Sequence, residues 1–222
     1  MIRNIYGFDD LKNKVKIGEY DDGIEYVGGR IFYIDSNSTA TYKFYDANMN
    51  EISNVAVGDA PMYSKKLTKG NNKEKYYVFD NTLISNKSWS YYDITTGATG
   101  QNIGDGKSNT TTILSITDTT TPITPSLWEW LKNNNTTKLN NCNDWYICSQ
   151  NELLALKTTA DSLGNSMLDS LGNTVSSWFT EYGIWVSDEY APSGATKWNH
   201  YGQGFLGTFK TNSNSVFGIR SF

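Results

Sequence analysis

Four consecutive residues, Ser149-Gln150-Asn151-Glu152, constrain this chain more than any others. They have the S-x-x-E spacing of a capping box: the serine oxygen accepts from the backbone near residue 152, and the Glu152 carboxylate returns to the cap amide. Cys148 is placed to pack on Leu153 as a staple, and Leu153, Leu156 and Ala160 then form the inner stripe of a helix over about residues 150–162. Gly164-Asn165 supplies the stop, and a second short helical stretch is expected near 166–171. Almost everything else in the 222 residues reads as strand and polar loop, so the fold class is α+β. Charged residues make up only 19% of the chain, with Asn, Ser, Thr and Gly filling the deficit, which argues against a bundle or coiled coil. Fifteen Tyr, nine Phe and seven Trp argue equally against disorder.

The strand signals are β-branched and aromatic runs between turn residues. Tyr26 to Asp35 follows a Gly28-Gly29 turn, and Thr41 to Tyr45 is close enough to pair with it as a hairpin around Ser36-Asn37-Ser38. Further strands are expected at Lys75–Phe79, Trp89–Tyr92, Gly183–Ser187, Gly204–Phe209 and Ser215–Phe222. The last run is rich in Phe, Ile and Arg, which places it inside a sheet with its end near the N-terminal strand. Gly97 to Gly106 is a glycine-rich turn before a short helix capped at Ser108 or Asn109 and continuing through Ile113, Leu114 and Ile116. It is not a phosphate loop, because Gly100 stands one position too far from Gly106-Lys107.

The formal charge of −4 gives no drive towards nucleic acid or anionic membrane. No eighteen-residue apolar stretch exists to span a bilayer, and the first residues have no apolar core of a signal peptide. Cys142 and Cys148 are expected to be reduced thiols rather than a disulfide framework. One histidine, His200, without Cys or His at metal spacing makes no ordinary zinc site, and no G-x-S-x-G elbow accompanies it. Asp188, Glu189 and Glu181 are the carboxylates that calcium would have to use, but no EF-hand spacing surrounds them. The expectation is therefore a non-enzymatic protein without metal or cofactor. Residues 1–25 read as an attachment arm or edge segment, and 26–222 as the folded domain.

Five pieces in order resemble the bacterial and phage family typified by the Lcl C-terminal domain, a variant of the C-type lectin-like fold related to formylglycine-generating-enzyme-like domains. They are Gly28 to Asp35, Ile103-Gly104-Asp105-Gly106-Lys107-Ser108-Asn109-Thr110, Asp144-Trp145-Tyr146-Ile147-Cys148-Ser149-Gln150-Asn151-Glu152-Leu153, Trp185 to Glu189 with Trp198, and Ile219-Arg220-Ser221-Phe222. Cys148 stands where the family has Pro, Val186 where it has Ser, and residues 42–87 show little of the pattern, as a variable or inserted region would. The resemblance implies a C-type lectin-like domain: a twisted, mainly antiparallel sheet with two packed helices.

Most of that signature has a packing explanation. Trp145, Trp185 and Trp198 are large enough to fill the junction between sheet and helices, each offering an indole N–H to a carbonyl. Arg220, beside Phe222, is expected to pair with Glu189 or Glu152, while Asp144 and Glu189 anchor loops through backbone amides. The ligand-binding candidates are Tyr190, Asn199, His200 and Tyr201, aromatic and amide groups that suit sugar or protein recognition on one loop face. The resemblance further implies a structural or recognition protein of a phage virion: a head or tail fibre or a surface decoration. Residues 1–25 would dock on other virion proteins, homo-oligomers would supply multivalency, and a host surface glycan or protein would be touched outward. A bacterial surface adhesion or carbohydrate-binding module is the alternative, and a formylglycine-generating-like enzyme the third.

Overall fold

The computed structural model describes residues 6–8, 14–16, 23–116 and 126–222. Short strands β1 (Tyr6–Phe8) and β2 (Lys14–Lys16) pair antiparallel. The other residues of the expected attachment arm up to residue 22 lie outside the described part of the chain. From residue 23 on, the described residues form a sheet-rich α+β fold with four α-helices, and every strand pair among them is antiparallel except one.

A three-stranded sheet sits at the centre. Its middle strand is β8 (Tyr76–Phe79), flanked by β4 (Arg30–Ile34) and β14 (Ile219–Ser221), so both ends of the folded domain meet on one strand. This position makes β8 integral to the core, although it lies within the 42–87 stretch read as an insertion. A four-stranded sheet, ordered β3 (Ile24–Tyr26), β7 (Tyr63–Thr68), β5 (Thr41–Tyr45), β6 (Glu51–Ile52), covers one side. Its Phe44 packs edge-on against Tyr76, with Phe222 completing the cluster.

The third sheet has five strands, ordered β12 (Gly204–Phe209), β11 (Gly194–Asn199), β10 (Ile184–Ala191), β13 (Ser213–Val216), β9 (Ile84–Ser88). The single parallel pair, β10 with β13, is in this sheet. The expected final strand 215–222 is broken here: β13 belongs to the five-stranded sheet and β14 to the central one. The chain crosses between them at Phe217-Gly218, where a Cβ on Gly218 would press within 3.2 Å of the Trp145 ring. Residues from both ends of the domain share the cores: Phe32, Tyr77 and Phe79 pack with Trp178, Phe217 and Ile219.

The expected hairpin between residues 26–35 and 41–45 does not form. β4 pairs with β8, and β5 pairs with β7 and β6, because the Asp35–Ala40 turn carries the chain from the central sheet into its neighbour. Trp89–Tyr92 is not a strand either. Ser90 and Tyr91 have φ of 72° and 53°, since this segment wraps around Lys210, whose carbonyl accepts from Trp89 N and Ser90 N.

The resemblance implies two packed helices; among the described residues there are four, α1 (Asp105–Leu114), α2 (Leu127–Thr137), α3 (Gln150–Leu163) and α4 (Val175–Glu181). α3 has the full capping box: Ser149 Oγ accepts from Glu152 N, and Ser149 N donates to Glu152 Oε2 at 2.7 Å. α1 begins at Gly104 rather than at Ser108 or Asn109. Gly104 takes the left-handed conformation and donates its N–H to Glu152 Oε1 at 3.0 Å, while Asn109 is buried within the helix, bonded to both backbone atoms of Gly100 and to Ser187. The stretch 166–171 is a turn closed by a Leu168–Thr174 bridge, in which Asp169 accepts from the amides of Leu171 and Asn173. α2 starts at Ser126, whose side chain accepts from Trp128 N.

Trp145, Trp185 and Trp198 are buried, and their indole N–H groups donate to the carbonyls of Leu139, Lys87 and Phe179 at 2.9, 2.7 and 2.9 Å. Arg220 and Phe222 are buried as well. Arg220 does not pair with Glu189 or Glu152. It forms a fork on Asp144, with Nε on Oδ1 at 2.8 Å and Nη2 on Oδ2 at 2.9 Å. Glu152 is occupied by backbone amides and Glu189 by a lysine, so Arg220 turns to Asp144, with Glu25 at 4.0 Å as a looser second partner.

Candidate functional site

Near the end of β10 the Glu189 side chain points inward and the next residue, Tyr190, outward; Phe209 ends β12 facing outward, and Lys210, just past it, points inward. The inward pair is an ion pair closed off from water, with Lys210 Nζ 2.5 Å from Glu189 Oε1. Lys210 also donates to the carbonyls of Ile94 at 2.8 Å and Tyr91 at 3.3 Å, and it lies 4.8 Å from the centre of the Trp89 ring. All three of its protons are thereby used. Burial pushes its ammonium below the usual lysine range, opposed by the Glu189 carboxylate.

Glu189 Oε2 accepts from Thr96 N at 2.8 Å and Gly97 N at 3.1 Å, which ties the 96–98 loop to β10 as a loop anchor. These bonds consume both oxygens that calcium would need. Asp188 is buried and accepts from Gln150 Nε2, and among the described residues no cluster of His, Cys, Asp and Glu is arranged to hold a metal.

The outward pair is exposed. Tyr190 keeps 73% of its surface in solvent and Phe209 60%. Tyr190 is nevertheless seated: a Cβ built on Gly207 falls 2.9 Å from its Cδ1 and Cγ, and one on Gly194 falls 3.3 Å from Cδ1. The ring therefore lies across β11 onto a floor of two glycines, in a place that no other residue type leaves open. Few rotamers remain to be frozen when a ligand stacks on such a ring.

Asn199, His200 and Tyr201 lie elsewhere. Asn199 pairs with Gly204 at one end of the β11–β12 ladder, whereas Gly194 pairs with Phe209 at the other. Five residue steps of strand separate the two ends, about 17 Å at the usual rise. The expected single loop face is thus two patches. In the second, Tyr201 is 89% exposed and lies tilted against a half-buried His200 with ring centres 3.9 Å apart. Gln203 Nε2 fixes this turn through the carbonyls of His200 and Phe179 at 2.6 and 3.0 Å.

Two other groups carry chemistry and are accounted for by structure. Glu152 is fully buried, with its pKa pushed up to about 7 by desolvation against its backbone bonds. It clamps α3, the Gly104 turn and the Tyr146 hydroxyl together. Cys142 and Cys148 are free and buried, and burial raises both thiols, Cys142 to about 11. Neither is poised as a thiolate nucleophile of the kind a formylglycine-generating enzyme needs.

Sequence reasoning expected Tyr190 to be exposed, as it is, but missed its glycine seat and the exposed Phe209 at the end of β12. The signal was present: Gly204–Phe209 reads as a strand, and a glycine inside a strand marks a close approach by another group. What approaches depends on which strands are neighbours.

No protein-family model matches the chain, and a search of curated proteins gives no match either. Among solved structures it is similar to a fimbrial protein from Bacteroides ovatus, with a TM-score of 0.51 and 13% sequence identity. The likeness covers 81% of this chain and 48% of that one, so the chain spans about half the length of that protein. At this identity the likeness is one of fold.

Proposed function

We propose that this chain is a recognition module of a surface appendage, non-enzymatic, whose contact face is the seated Tyr190 ring with Phe209 beside it. The observation that carries this reading is an exposed aromatic ring lying directly over two glycines. Two solvent-facing aromatics are each adjacent in sequence to one member of a buried ion pair, and one of them rests on glycines. A ring held this way suits stacking against a sugar face or an apolar protein patch at low ordering cost.

The finer reading is that the domain is C-type lectin-like and sits on a phage virion as a head or tail fibre or surface decoration. Its support is the ordered resemblance from Gly28 to Phe222 to the Lcl C-terminal family. Residues 1–25 then contact other virion proteins, and several copies act together, which turns weak single contacts into useful avidity. The likeness to a fimbrial protein favours a second setting, a fibre on a bacterial surface. The molecular role is the same in both.

Fluorescent wild-type protein and its Tyr190→Ala, Phe209→Ala and Tyr201→Ala variants, applied to candidate host cells, test the role. The first two are expected to lose most of the binding and the third to retain it; equal binding by all four contradicts the reading. Mass spectrometry of purified virions and of sheared surface fibres then separates the two settings.

A further inference from the structure

Four loops, none of them carrying Tyr190 or Phe209, converge on a cleft of about 290 Å³. Its lining comes from the β3–β4 connection (Tyr26, Gly28, Gly29 and the start of β4 at Arg30), the segment before β7 (Ala60 to Met62), Asn81 after β8, and Asn140-Asn141 after α2. Gly28 and Gly29 belong to its floor for steric reasons. A Cβ on Gly28 would fall 2.6 Å from Cys142 Sγ, and one on Gly29 would run into the Phe79 carbonyl oxygen. Asn140 and Asn141 are held at φ of 50° and 61°, and Asn140 Nδ2 donates to the Gly28 carbonyl at 2.9 Å, which pins this loop against the floor.

Among the described residues, Arg30 is the sole charged side chain lining the cleft. Its Nη1 donates to the Gly58 carbonyl at 2.6 Å, while its Nε is buried without a hydrogen-bond partner. The ion pairs among the described residues do not include it. A half-buried guanidinium fixed by a carbonyl and left without a counter-charge favours an anion, and its planar fork matches a carboxylate. Around it, the amides of Asn81 and Asn141 provide donor and acceptor together, as hydroxyl groups require, and Tyr26, Pro61 and Met62 provide an apolar wall.

We propose that this cleft binds a carboxylate-bearing sugar, with Arg30 on the carboxylate, the asparagines on ring hydroxyls and the apolar wall against the C–H face. A single cation suits a monoanion better than a phosphate dianion, and the volume suits one or two sugar units rather than a long chain. The site is separate from the Tyr190 face and does not rest on the function proposed for it, so either can fail alone.

Heteronuclear NMR titration of the full chain tests this, with galacturonic acid and N-acetylneuraminic acid as probes. Galactose serves as the neutral control and an N-acetylated dipeptide with a free C-terminus as the other source of a carboxylate. The account predicts that at least one acidic sugar shifts the amides of residues 28–30, 81 and 140–141 and binds about tenfold or more tightly than galactose. Arg30→Gln is expected to remove that preference. Ala60→Trp, at an exposed position on the wall, blocks the cleft with Arg30 in place and is expected to abolish the shifts. The inference is overturned by equal binding of acid and neutral sugar, by tighter binding of the dipeptide, by no acid-induced shifts, or by shifts that survive Ala60→Trp.

Discussion

Lys210 Nζ and Glu189 Oε1 lie 2.5 Å apart with no solvent between the pair and the core, and the sequence neighbour of each is an exposed aromatic. The ion pair fixes the relative position of β10 and the end of β12, and with it the distance between Tyr190 and Phe209. Charge in the interior thus sets the geometry of the surface.

Breaking that pair on one side leaves an uncompensated buried charge. Glu189→Ala is expected to cost about 3–5 kcal/mol, measured by urea unfolding. The double variant Glu189→Leu with Lys210→Met is expected to recover a large part of that loss, because both desolvation penalties disappear together. Additive losses in the double-mutant cycle contradict this account of the pair.

Tyr190 makes few contacts beyond its glycine floor. Tyr190→Ala is therefore expected to change stability by less than about 1 kcal/mol while removing the ring-current shift at the Gly207 α-protons. Gly207→Val is expected to displace the ring and reproduce the binding defect of Tyr190→Ala with Tyr190 still present. Wild-type binding by Gly207→Val would show that the seat is irrelevant.

Three buried carboxyl groups have raised pKa values through desolvation, Glu152 at about 7, Asp80 at about 6, and Asp188. A carboxyl whose folded pKa lies above its unfolded one favours the fold while protonated. Its contribution is complete below about pH 4 and is lost as pH rises through 6 and 7. These groups are expected to lower the melting temperature between pH 5 and pH 8. Glu152→Gln is expected to be less stable at pH 5, since its amide faces backbone donors, and to show a shallower fall towards pH 8. An unchanged slope contradicts the assignment to Glu152.

Much of the local structure was legible in the sequence. The capping box, the Gly204–Phe209 strand and the interior indoles are short-range or volumetric features, which residue types alone dictate. Strand partnership was not legible: Thr41–Tyr45 carries the same alternation whether it pairs with β4 or with β7, and only the shared packing of Phe44, Tyr76 and Phe222 selects the latter. Helix α2 was overlooked because Asn-rich residues 133–135 dilute its apolar stripe, which is limited to Leu127, Trp128 and Leu131. The Arg220 fork and the Glu189–Lys210 pair were hidden for a related reason. Both join residues distant in sequence, and each carboxylate had several cations it could have met.

The closing strand bears on the integrity of the whole domain. Phe222 exchanges hydrogen bonds with Tyr76, its carbonyl also accepts from Lys75 N, and Arg220 holds Asp144. Deleting Gly218–Phe222 is expected to abolish cooperative unfolding, read by circular dichroism during heating. A sharp transition in the truncated chain contradicts the closed central sheet.

The central claim, an exposed aromatic face used for recognition, is tested most directly by mapping NMR amide shifts as glycans released from a bound cell type are added to the full chain. The account predicts shifts clustered at Tyr190, Gly194, Gly207 and Phe209 that vanish in Tyr190→Ala. Shifts confined to the Asn199–Tyr201 turn, or none on cells that the protein demonstrably binds, would contradict it.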